Sequence, residues 1–104
     1  MDYELDELKR EFLAEAEEKV REIEAALSGE RSSEALDRLA YLAHQLKGAG
    51  GSYGYAKISS ESAEIEKAAE RIVKGEADAG VGERLQLHVA NLRSEVEQSL
   101  KELA

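Results

Sequence analysis

Four stretches of the chain repeat an apolar residue every three or four positions, and no proline interrupts any of them. In the first, Leu5, Leu8, Phe12, Ala16, Val20, Ile23 and Leu27 recur at helical spacing, and Gly29 closes the run. Ser32 or Ser33 suits the N-cap of a second helix, whose stripe is Leu36, Leu39, Ala43 and Leu46. The third stripe is Ile58, Ile65, Ala69, Ile72 and Val73, and it stops at Gly75. After the turn-rich "GEADAGVG" the fourth runs through Leu85, Leu92, Val96, Leu100 and Leu103. No segment alternates apolar and polar residues as a half-buried strand would. A lone helix of such length is marginal in water, so the four stripes must be buried against one another. Short connections between them predict an all-α fold, an antiparallel up-down four-helix bundle forming a single domain over residues 1–104.

Composition narrows the function classes. Hydrophobic residues make up 42% of the 104, enough for a globular core. Acidic residues outnumber basic ones 23 to 14, and the formal charge is −9. Without a basic cluster to neutralise phosphates, nucleic-acid binding is disfavoured, and so is an anionic membrane surface. No apolar run has the length of a membrane span, and the N-terminal "MDYELDEL" is acidic where a leader would be basic. There are no cysteines, hence no disulfide framework or thiolate metal site. These features predict a cytoplasmic protein. Outward apolar residues such as Leu87 are single, which fits a monomer.

One segment conflicts with easy helix formation. "HQLKGAGGSYGY", residues 44–55, sets one of two histidines and a lysine ahead of four glycines. With Leu36 at zero on a helical projection, the apolar stripe of the second helix centres near 300°, with His44 at roughly 80° and Lys47 near 20°. His44 therefore faces water, with Lys47 at the margin of the stripe. The positions one turn before and after His44 are Ala40 and Gly48, so little crowds the imidazole and a partner protein could come close. An exposed imidazole beside an ammonium suits a nucleophile that must carry an anion.

The glycines allow two readings. Each costs a helix interior about 1 kcal/mol relative to alanine, so the helix could end at Lys47 and leave "GAGGSYG" as a loop. Otherwise the helix continues to about Ser52, Gly48 provides access, Gly50 and Gly51 permit close packing, and Gly54 is the stop. A nucleotide cradle fits neither reading. Lys47 precedes the glycines where a P-loop needs it after them, and Tyr53 occupies the third-glycine slot of a dinucleotide fingerprint.

The segment resembles the histidine phosphotransfer (HPt) pattern H-x-L-K-G-x-x-x-x-x-G, matched at His44, Leu46, Lys47, Gly48 and Gly54. Its glycine-rich interior and trailing aromatic look like the phosphoacceptor domain of chemotaxis histidine kinases. The resemblance implies that His44 takes a phosphoryl group on Nε2 from a histidine kinase, possibly hybrid, or a phospho-aspartyl receiver, and passes it to a response-regulator receiver. Lys47 would help hold the phosphoryl oxygens, and Gly48 would leave room for the receiver. Family members commonly place Gln or Glu on the next helix to bond the ring Nδ1; here that position is Glu66. Independently, Glu66 projects about 80° from the centre of the third stripe, within reach of a neighbouring helix. A carboxylate accepting Nδ1–H fixes the tautomer and leaves the Nε2 lone pair exposed.

Such a chain is a phosphocarrier without its own nucleotide site, not an enzyme, and the resemblance implies no cofactor. Two histidines and no cysteines also make a poor metal site. Tyr41, off the stripe near His44, is either part of a docking surface or an exposed tyrosine packing on its own helix. Tyr53 and Tyr55 are expected to pack at the turn after the second helix, and His88 to be a partly buried packing residue. Two other readings stand beside the relay intermediate: a phosphoacceptor domain cut from a larger chemotaxis-type kinase, and a helical module that binds partners without carrying phosphate.

Overall fold

The computed structural model describes residues 3–103, and the expected domain's ends at residues 1, 2 and 104 lie outside that range. Four helices account for most of it: α1 (Tyr3–Ser28), α2 (Ser33–Ser52), α3 (Ala56–Val73) and α4 (Val81–Leu103). There is no strand among the described residues. Each helix packs against two others: α1 on α2 and α4, α3 on α2 and α4. The product is a rod of 49 × 21 × 18 Å.

The four stripes meet in one core. Phe12, Leu13, Ala16, Val20 and Ile23 of α1 lie against Leu39, Leu42, Ala43 and Leu46 of α2. Ile58, Ile65 and Ala69 of α3 join Leu85, Val89, Leu92 and Val96 of α4 in the same cluster. Burying a Leu or Ile side chain is worth about 1.5–3 kcal/mol, so this shared core outweighs the intrinsic preference of any one helix. Ser62 is also buried there, and its hydroxyl has no hydrogen-bond partner among the described residues.

The ends of the stripes depart from the expectation. Leu5 and Leu8 are exposed, at 40% and 45%. The Arg10 guanidinium already reaches the Leu103 carbonyl at the end of α4, so the turns of α1 before it have little to pack on. Val73 is likewise exposed, one residue before the α3 cap at Lys74. The fourth helix starts earlier than its turn-rich approach suggests. Val81 is buried and opens α4, because Asp78 organises the preceding loop: its carboxylate accepts from the Gly80 N–H and from Arg84.

Of the two readings of the glycine segment, the longer helix is the one formed. Ser32 caps α2, its Oγ accepting from the Ala35 N–H at 3.1 Å, and the helix runs to Ser52. At Gly50 the backbone of α2 lies close against α3. A Cβ there would lie 3.2 Å from both Ile58 Cγ2 and the Ser59 nitrogen. Gly54 then turns the chain with φ of +84°, a conformation that costs an L side chain strain. Tyr53 and Tyr55 flank that turn and stack on Phe12, at 5.3 and 5.8 Å between ring centroids.

Candidate functional site

His44 lies on the outer face of α2, its side chain 61% exposed. Ala40, one turn before it, is half-buried. On the other side, a Cβ on Gly48 would meet nothing within 4 Å, so the helix surface past the ring is open. This openness needs a helix: in a loop Gly48 would have no fixed relation to His44. The buried Leu42, Ala43 and Leu46 hold the inner face of the same turns against the core and thereby fix the imidazole's direction.

Glu66 crosses from α3 to meet two side chains of α2. Its Oε2 lies 2.9 Å from His44 Nδ1, and its Oε1 accepts from Lys47 Nζ at 2.8 Å. The Glu66 side chain is only 15% exposed. Burial alone pushes its pKa up, but the hydrogen bonds from Lys47 and His44 together outweigh that and hold the carboxyl below its ordinary value. Glu66 is accordingly a carboxylate at neutral pH. A carboxylate can only accept, so Nδ1 carries the ring proton and Nε2 keeps its lone pair.

Lys47 lies on the same side of α2 as His44 and shares its carboxylate partner. Its ammonium is engaged by Glu66 rather than standing alone beside the ring. An ammonium has three N–H groups, so the bond to Glu66 leaves donors for an incoming anion. The register of this corner is held by Ser59, whose Oγ donates to the Lys47 carbonyl at 2.8 Å. Neither link was legible in the sequence. The first had a signal: Lys47 sits one turn after His44, so an acid that meets the ring from α3 is also near the ammonium.

The remaining residues singled out in the sequence stand apart from this bridge. Tyr41 is 52% exposed; its hydroxyl accepts from Gln45 Nε2 at 2.8 Å, and the Arg38 guanidinium lies 5.6 Å over its ring. Gly54 is at the turn beyond α2 and touches none of these side chains. His88 is far along the chain on α4, 24% exposed, and its Nδ1 is 2.6 Å from Glu61 Oε2. No group of three or more His, Asp or Glu among the described residues is arranged to hold a metal ion. No helix among them is long and apolar enough to cross a membrane.

Four packed helices thus present an exposed imidazole held by a carboxylate from the neighbouring helix. A family model for the Hpt domain matches residues 7–100, and the chain belongs to the Hpt domain family. Hpt domains perform histidine phosphotransfer in two-component signalling, as phosphocarriers exchanging with kinases and response regulators. No match to the chain was found among curated proteins or among solved structures.

Proposed function

We propose that His44 is the phosphoacceptor of a phosphorelay intermediate, a single cytoplasmic domain acting as a monomer. The observation that carries this reading is the Glu66 bridge: one carboxylate bonded to both His44 Nδ1 and Lys47 Nζ. Nε2 attacks the phosphorus of a phospho-aspartyl receiver or a kinase-bound donor, and the P–O bond to the donor breaks. The ring becomes cationic with its Nδ1 proton in place, and Glu66 faces that charge. Lys47 supplies a positive charge to the phosphoryl oxygens through its remaining N–H groups. The reverse attack by a receiver aspartate returns the phosphoryl group. Mg²⁺ that neutralises charge in this step belongs to the receiver, and nucleotide to the kinase.

The partner covers α2. Gly48 and Ala40 let it approach the ring, and Tyr41 with Gln45 supplies an amphipathic contact on the same face. The bundle is up-down and antiparallel in this reading. Support comes from its pairs: residue numbers rise on one helix as they fall on its neighbour in His44–Glu66 and Lys47–Ser59, and again in Arg10–Leu103 and Glu24–Arg93.

The test is transfer of radiolabelled phosphate from a phosphorylated receiver domain. The parent chain gains acid-labile, alkali-stable label, and His44→Gln gains none from the receiver. Equal labelling of the two by the receiver rejects the reading.

A further inference from the structure

The His44–Glu66 pair is not the only imidazole held by a carboxylate of α3. On the opposite flank of that helix, Glu61 accepts from His88 of α4, with 2.6 Å between Oε2 and Nδ1. The other oxygen of Glu61 meets Asn91 Nδ2 at 3.5 Å, so the carboxylate is held from two sides. The chemical consequence matches that at His44. Nδ1 keeps the proton, and Nε2 keeps a lone pair.

The surroundings of the two rings differ in a way that selects the reagent. His88 is 24% exposed against 61% for His44. It lines a cleft of about 140 Å³ between α3 and α4, and so do Lys67, Arg71 and Arg84. Glu64 also lines this small cleft, beside the three cations. Each has an acidic partner: Lys67 pairs with Glu64, while Arg71 and Arg84 share Asp78. Guanidinium and ammonium groups carry more N–H donors than those bonds occupy, so an oxyanion can be met without breaking them. At 24% exposure the ring offers a folded receiver far less access than His44 does at 61%. A small phosphoryl donor can enter.

We infer that His88 is a second phosphoacceptor, served by small-molecule phosphoryl donors of the phosphoramidate class rather than by a protein partner. In the step, Nε2 attacks phosphorus and a new N–P bond forms to the ring. The donor's own P–N bond breaks, and ammonia departs with that electron pair. The Nδ1 proton stays in place, and the cationic ring faces Glu61. Lys67, Arg71 and Arg84 neutralise the phosphoryl oxygens.

The inference is independent of the role given to His44, and the experiment removes that residue. The full-length His44→Gln chain is incubated with potassium phosphoramidate, with N-acetylhistidine in the same solution as the internal standard. Phosphate is mapped by mass spectrometry under alkaline conditions. His88 is expected to label at least about tenfold faster than the standard, with the advantage lost on the order of tenfold in Glu61→Gln, the lower end of what metal-ligating histidines lose with their orienting carboxylate. Arg84→Gln slows labelling too, while circular dichroism shows the helices intact. The same mapping on the parent chain reads His88 directly should His44→Gln fail to fold. Labelling of His88 no faster than the standard, or unchanged by Glu61→Gln, overturns the inference whatever happens at His44.

Discussion

At the scale of single residues, Glu66 does two jobs with two oxygens, and substitutions can separate them. Glu66→Gln keeps an acceptor for His44 Nδ1–H but loses the charge that faces the phosphorylated ring and draws Lys47. Glu66→Ala removes both. Phosphoryl uptake by His44 should therefore fall roughly 10–100-fold in Glu66→Ala, the range seen when a metal-ligating histidine loses its orienting carboxylate, and by less in Glu66→Gln. Stopped-flow or radiolabel kinetics with a phosphorylated receiver measures both, and equal rates for the two variants would show that the carboxylate is not orienting the ring. The outline of this site was legible because exposure follows from helical phase: His44 projects away from Leu39, Ala43 and Leu46. What phase cannot give is which long side chains meet. Lys47 has four rotatable bonds, and only the approach of α3, set by packing elsewhere, turns its ammonium onto Glu66.

At the scale of the element, glycines in one helix have opposite roles. Gly48 and Gly50 are two residues apart in α2, both with ordinary helical φ. A methyl group on Gly48 meets nothing, so Gly48→Ala should stabilise the fold by about 0.5–1 kcal/mol through helix propensity. On Gly50 the same methyl group sits 3.2 Å from Ile58 and from the Ser59 backbone, so α3 must shift, and overpacking of this kind costs about 1–3 kcal/mol. Urea denaturation should rank Gly48→Ala above the parent and Gly50→Ala below it. Phosphotransfer should move the other way for Gly48→Ala, slowing as stability rises, because the methyl group narrows the partner's approach. A Gly48→Ala chain that is both more stable and fully active would show that access at this position is irrelevant. Sequence alone left the helix and the loop open here, since propensity counts glycines and is blind to a neighbouring helix. The deciding interactions are tertiary: burial of Leu46 and the close contact of Gly50 with α3. The same limit explains Val81 and Leu8. Whether an apolar residue near a helix end is buried depends on where the neighbouring helices stop, which no periodicity records.

At the scale of the whole molecule, the excess negative charge competes with the carboxylate pairs that tie elements together. Lowering the pH from neutrality relieves repulsion in a chain of net charge −9 and on that account favours folding. The cross-helix pairs oppose this. Hydrogen bonds from Arg38 hold Glu22 below its ordinary value of 4.5, and those from Arg93 do the same to Glu24. Glu66 is depressed because Lys47 and His44 overcome its burial, and Asp78 because Arg84 and the Gly80 N–H bond it. A carboxylate whose folded value is depressed contributes stability that is complete above the unfolded value and lost as pH falls through the folded one. All four shifts are downward, so their contribution is intact above pH 4.5 and drains away below it. Relief of repulsion cannot compensate there, since continued protonation leaves the 14 basic residues unopposed and the net charge turns positive. The urea midpoint should therefore be highest between about pH 5 and 8 and fall steeply below 4.5. Glu24 and Glu66 are the two least exposed of the four, so the double variant Glu24→Gln/Glu66→Gln should flatten that acid limb while lowering stability at neutral pH. A midpoint that keeps rising from pH 5 to pH 3, or an acid limb of equal slope in the double variant, would show that charge repulsion rather than these pairs governs the stability of the bundle.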